Sequence, residues 1–190
     1  QRVLQRAVGI AGSGMHDPMS EEDLRRKLGD ATCERFRCIA HDAGDPSRLQ
    51  FMGITEMGTP VWINKTVAEA DFRISVGRVY PHVSYGYEGG YKMIVPGVAS
   101  FETIVRDHSL NFSPHSTYGY VGKNPSRAEA DAVGRLVGLH YVVNFVMSFD
   151  GKPVHAEAGA DVSGVFSRCA RFGEEHVWGT RLGRQFDVTV

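Results

Sequence analysis

The chain has 190 residues, an apolar share of 42% and a formal charge of −1, the proportions of one folded domain with its own core. Acidic and basic side chains nearly cancel, with no block of either sign, which excludes the long-range attraction that nucleic acid or an anionic membrane requires. No apolar run approaches the roughly 20 residues that cross a bilayer, the first residues lack the order of a secretion signal, and Cys33, Cys38 and Cys169 make an odd set without a disulfide framework. The expectation is a soluble, cytoplasmic protein with reduced thiols.

Residues 7–11 read as a short buried strand running into Gly12-Ser13-Gly14. After Pro18 a helix is expected, with Ser20 and Asp23 as its capping pair, Glu21 and Glu22 at its positive end and Gly29 closing it. Apolar runs at 36–40, 49–54, 61–63 and 72–76 are expected strands, separated by turns rich in Asp, Gly and Pro. Ser100 is placed to cap a helix over 101–108, and Ser126 to cap a longer one that runs to Val137 and stops at Gly138. Residues 141–149 and 153–158 flank Asp150-Gly151, the strongest short hairpin signal in the chain, and a last helix is expected over 162–172. The closing run Phe186-Asp187-Val188-Thr189-Val190 reads as a strand with nothing after it to cover or pair with it, the mark of a piece cut from a longer chain. The order predicts an α/β fold, a mixed sheet with flanking helices, without internal repeats.

Glycine is unusually frequent, 22 residues, and its clusters direct attention to Gly12-Ser13-Gly14 and to Gly86 through Gly90, where a backbone can approach a ligand closely. Four basic side chains stand on or beside these turns or at a helix end: His16, His82 after a proline, Lys92 after Gly89-Gly90, and His108. Loops at strand ends are where α/β proteins hold ligands. A histidine near its unperturbed pKa of about 6.5 can take a proton and return it, so two facing one substrate could serve either mirror image. Lys92 is open to two readings, a point charge for phosphate or, if desolvated, a nucleophile toward a carbonyl or thioacyl group. His108 has no second ligand at metal-binding spacing, so an all-protein cage is not expected. His155-Ala156-Glu157 imitates a zinc deaminase but lacks the later P-C-x-x-C, and Asp17 stands where a dinucleotide fingerprint needs its third glycine. No phosphate-loop, nucleophile-elbow or H-E-x-x-H motif occurs.

The run from Gly12 to Glu22 resembles the T-G-x-H-R-P-x-T-x-E-E segment of the lactate racemase family, and the run from Tyr80 to Gly97 resembles its P-H-x-x-x-G-F-x-G-G-x-K-x-x-x-P-G signature. Asn124-Pro125 and the strand after Tyr141 continue the similarity, which covers nearly the whole chain. This resemblance implies a Rossmann-like nucleotide-binding domain, residues 1–190 being the cofactor-bearing part of a larger two-domain enzyme. A preceding segment and a C-terminal domain would then lie outside these residues. It implies a 2-hydroxyacid racemase or epimerase that moves a hydride to and from a nickel-pincer nucleotide (the nickel complex of pyridinium-3,5-bisthiocarboxylic acid mononucleotide). By position, Lys92 takes the place of the lysine that tethers this cofactor, His108 that of the nickel-ligating histidine, and His16 and His82 those of the two alternate bases. Gly12, Ser13, Gly14, Gly89 and Gly90 would line the cofactor. The implied partners are a small 2-hydroxyacid and the enzymes that make and load the pincer. Asp17 and Tyr91 depart from the family at positions where arginine is usual, which leaves the hydroxyacid open. A scaffold that binds cofactor without chemistry, and a dehydrogenase that releases the keto acid, remain alternatives.

Overall fold

The computed structural model describes residues 6–179. Strand β1 (Val8–Ala11) enters the first glycine turn, and helix α1 (Glu21–Leu28) follows as expected. The Ser20 hydroxyl accepts the Asp23 amide at 3.1 Å, and Gly29, at φ 85°, lets the chain leave. A short α2 (Asp30–Arg35), which no periodicity announced, leads into β2 (Arg37–Ala40), and β2 lies parallel to β1.

Strands β3 (Leu49–Ile54) and β4 (Pro60–Asn64) form an antiparallel pair with a bulge between Phe51 and Gly53, and α3 (Lys65–Ala68) follows. The next strand, β5, spans Ile74–Val79 rather than 72–76. Phe72 instead stacks on His140 with ring centroids 4.9 Å apart, which keeps it ahead of the strand. Two-residue strands β6 (Pro81–His82) and β7 (Gly86–Tyr87) pair across a tight turn that sets His82 opposite Gly86.

Helix α4 (Phe101–His108) is capped by Ser100. Helix α5 (Pro125–Val137) is capped by Asn124, not Ser126: the Arg127 amide donates to Asn124 Oδ1 at 3.1 Å. Pro125, preset for the first helical position, makes the residue before it the cap, while Ser126 is buried and bonds Asn111 and Ser116. Strands β8 (Tyr141–Met147) and β9 (Pro153–Gly159) form the expected hairpin, and α6 (Val162–His176) runs four residues past its expected end. The closing run 186–190 lies outside the described residues.

The strands form several small sheets rather than one. The central sheet has the order β5-β8-β9, with β5 parallel and β9 antiparallel to β8. Val142, Asn144 and Val146 of β8 point into the core, where α5 and α6 cover them, while Ile74 and Val76 of β5 are exposed on the other face. The main core joins Val61, Ile63, Val95, Ile104, Val133 and Val142 around Tyr85, and a second cluster sets Val79, Tyr87 and Val146 against α6. No described helix is long and apolar enough to cross a membrane.

Candidate active site

Three of the four basic residues singled out by the sequence converge on one aromatic ring. Tyr85 is completely buried. The His82 ring meets it edge-on at 5.3 Å between centroids, the His108 ring does so at 6.0 Å, and the Lys92 ammonium lies 4.8 Å from the centre of the Tyr85 ring. The Tyr85 hydroxyl donates to Asp107 Oδ2. The same oxygen accepts from His108 Nδ1 at 3.1 Å, and the Tyr85 oxygen lies 3.3 Å from that nitrogen. Burial, followed by the charge of Asp107, pushes the phenol well above its ordinary range, so the hydroxyl stays a donor. With Nδ1–H held in this way, His108 keeps its lone pair on Nε2, as a metal-ligating histidine does when a carboxylate fixes its tautomer.

Lys92 sits on a 3-10 turn, Gly90–Met93, that packs against α5. Among the described residues its ammonium has no carboxylate within ion-pair distance, and burial lowers its pKa from the usual lysine value. His82 is held by its turn: Nδ1 accepts the amides of Ser84 and Tyr85 at 3.2 and 3.4 Å. Burial first, then the Lys92 charge, brings its pKa down to about 4.

The loop carrying these residues is fixed from behind by groups the sequence reading did not assign. Arg127, buried in α5, donates to the carbonyls of Tyr87 at 2.7 Å and Gly89 at 3.1 Å, with its guanidinium 3.8 Å from the centre of the Phe166 ring. Burial lowers its pKa to about 10, while Asp131 3.6 Å away supports its charge. Asn124 reaches from the start of α5 to the Ser84 carbonyl at 2.8 Å, and Asn144 accepts the Gly90 amide at 3.3 Å. Gly86, at φ 75°, admits no side chain, because a Cβ there would stand 2.4 Å from the Tyr120 carbonyl oxygen.

His16 stands apart. It is exposed on the first glycine turn, and its ring makes no hydrogen bond among the described residues. That turn is nevertheless joined to the Lys92 segment: the Gly14 amide donates to the Gly97 carbonyl at 3.1 Å, and a Cβ on Gly12 would stand 2.9 Å from the same oxygen. Ser13 donates to the His41 carbonyl at 3.1 Å, and a Cβ on Gly90 would stand 3.1 Å from Phe166. These close approaches are to the chain itself. His41 is an internal strut, its Nε2 donating to the Ala99 carbonyl at 2.8 Å. Tyr91 lies over Gly134 with the Arg135 guanidinium 5.8 Å from its ring centre. No three His, Cys, Asp or Glu side chains gather into a metal cage among the described residues, so a metal at His108 would draw its other donors from elsewhere.

Residues 5–119, more than half of the chain, match the lactate racemase N-terminal domain family. The chain belongs to this family. Over 152 residues, 79% of its length, it is 32% identical to the lactate racemase of Lactiplantibacillus plantarum. Over the same length it is 28% identical to that of Thermoanaerobacterium thermosaccharolyticum. In both cases the match takes in 36% of the relative, so the chain spans well under half the length of these family members. The structure of the lactate racemase apoprotein from T. thermosaccharolyticum superposes with a TM-score of 0.83 at 25% identity, across 88% of this chain and 40% of that one. A protein of known structure from Thermotoga maritima shares the fold at a TM-score of 0.75 and 20% identity, across 88% of this chain and 46% of its own. The mixed α/β architecture expected from the sequence is thus the architecture of this family's N-terminal domain.

Proposed function

We propose that this chain is the cofactor-bearing domain of a 2-hydroxyacid racemase or epimerase of the lactate racemase kind, carrying a nickel-pincer nucleotide tethered to Lys92. The observation that supports this most directly is the convergence of His82, Lys92 and His108 on the buried Tyr85 ring. The residues present suit such a group. Lys92 offers an amine whose charge is disfavoured by burial and has no counter-ion among the described residues, the state in which a lysine attacks an acyl carbon. His108 offers Nε2 with its tautomer set by Asp107. When bound, the nucleotide would accept and return the hydride and supply the remaining nickel donors.

The chain's part is orientation and proton handling. Gly12, Ser13, Gly14, Gly89 and Gly90 are assigned to line the cofactor, and Arg127 and Asn144 hold the second of these turns still. His16 and His82 are assigned to the oxygens of the substrate. His16, whose ring makes no hydrogen bond among the described residues, and His82 are the two imidazoles placed to take the hydroxyl proton and hand it back, one for each enantiomer. Planar keto acid held between the two steps can receive hydride on either face, which inverts the carbon.

The test is the intact mass and nickel content of the chain produced together with the pincer-making enzymes. A mass adduct that maps to Lys92 and vanishes in Lys92→Ala is expected, with nickel bound in proportion. His16→Ala should keep the adduct and slow interconversion of a 2-hydroxyacid by roughly 10²–10⁴. Wild-type chain with neither adduct nor nickel would mean a scaffold, and accumulating keto acid would mean a dehydrogenase.

A further inference from the structure

The two proposed bases are held in different ways. His82 is gripped by its own turn, whereas His16 is exposed and its ring bonds nothing among the described residues. The position of His16 therefore depends on what the turn Gly12-Ser13-Gly14 leans on. One support is the Gly14 amide on the Gly97 carbonyl, at 3.1 Å. The other is residue 41, which follows β2. The His41 amide donates to the Ala11 carbonyl at 3.0 Å, just before the turn, and the His41 carbonyl accepts the Ser13 hydroxyl at 3.1 Å, within it. The His16 amide in turn donates to the Ser13 carbonyl at 3.2 Å.

The His41 side chain, completely buried, carries this hold across to the segment that follows Lys92. Its Nε2 lies 2.8 Å from the Ala99 carbonyl, which only accepts, so the ring proton sits on that nitrogen. Nδ1 accepts from the Asn64 side-chain amide at 3.3 Å. The direction of that amide is set independently, because Asn64 Oδ1 accepts the Thr66 backbone N–H at 3.0 Å. The Val98 and Ala99 amides donate to the carbonyls of Ile94 and Pro96, at 2.9 and 3.2 Å, which continue the turn of Lys92. Both ring nitrogens of His41 are thus committed. Burial keeps its pKa below the ordinary histidine value, against the Ala99 carbonyl and Asp42, which favour the charged form.

We infer that His41 is the positioning residue of His16: as a neutral Nε2–H imidazole it locks the first glycine turn to Ala99 and so fixes where the His16 imidazole stands relative to the Lys92 amine. That His16 serves as a base rests on the proposed function; its attachment through His41 does not. A side chain with no hydrogen bond of its own is held in place by its backbone alone. Misplacement of a reacting group by about 1 Å costs about 10²-fold in rate, so the anchor of that backbone sets the efficiency of the base.

His41→Leu fills similar space without an N–H, and His41→Gln restores an N–H near the position of Nε2. In the loaded chain, His41→Leu should keep the Lys92 adduct and its nickel while turnover falls about 10²-fold, and His41→Gln should stay within about tenfold of wild type. Adding His16→Ala to His41→Leu should cost little more than His16→Ala alone, because both changes disable the same base. Wild-type turnover in His41→Leu, loss of its adduct, or losses that multiply in the double variant each overturn the inference. Spectra of the ¹⁵N-labelled, cofactor-free chain stand apart from catalysis. Long-range proton–nitrogen correlations should show wild-type His41 protonated at Nε2 alone at pH 7, a reading that needs no variant to fold. His41→Leu should shift the His16 amide signal and leave those of Ser84 and Tyr85, which hold His82, in place. A proton on Nδ1 of His41, or an unmoved His16 signal, overturns the inference whether or not the chain racemises anything. Loaded wild-type chain without activity would count against the racemase reading, and the spectra would still decide the lock.

Discussion

Asp107 ties the candidate metal ligand to the core. Its side chain is fully buried, one carboxylate oxygen serves both Tyr85 and His108, and the other has no hydrogen-bond partner among the described residues. Such a group orients the imidazole and strengthens it as a donor, so Asp107→Asn should lower nickel retention by about 10–100-fold. Nickel remaining per chain after dialysis against a chelator measures this, and retention equal to wild type would remove Asp107 from that role. His82 carries a separate consequence for stability. Its folded pKa of about 4 lies below the ordinary histidine value, so between these limits the unfolded chain binds the extra proton and stability falls as pH drops. The loss is largest below about pH 4 and amounts to roughly 2–3 kcal/mol at most, less to the extent that water screens the ring. Urea midpoints between pH 7 and 4.5 should therefore fall less steeply for His82→Gln than for wild type.

At the scale of elements, α5 is the piece on which the site's loop is mounted. Asn124 caps it and also donates to the carbonyls of Ser84 and Tyr120, while Arg127, one turn in, holds Tyr87 and Gly89. Asn124→Ala should cost about 2–4 kcal/mol, because it strands two partly buried carbonyls as well as the helix end, whereas Ser20→Ala on the exposed α1 should cost about 1 kcal/mol. Equal denaturation midpoints for the two variants would contradict this. Helices with a local stop signal were legible in the sequence: Ser20, Ser100, Gly29 and Gly138 sit where the chain uses them. At α5 two cap-forming residues flank Pro125, and the proline's fixed φ selects Asn124 over Ser126. The pair β6 and β7 left no periodic trace, since two residues each are too few and the turn is made by tertiary contacts. The same holds at the site. His82, Lys92 and His108 were found through their motif, but Tyr85, Asp107 and Arg127 owe their roles to burial against distant segments, which spacing does not record.

Across the whole molecule the central sheet is covered by helices on one side. Val146 is fully buried beneath α6, whereas Val76, the third residue of the neighbouring β5, is 61% exposed. Val146→Ala should destabilise the chain by about 2–3 kcal/mol and Val76→Ala by under about 1 kcal/mol, as read from urea unfolding. A comparable loss at Val76 would mean that the outer face is buried in solution. The crossing of the first glycine turn over Gly97 ties two stretches that are far apart in sequence. One bears an imidazole and the other follows the amine. Because a Cβ on Gly12 would stand 2.9 Å from the Gly97 oxygen, Gly12→Ala would displace the turn that bears His16 relative to the segment that follows Lys92, while leaving both residues chemically intact.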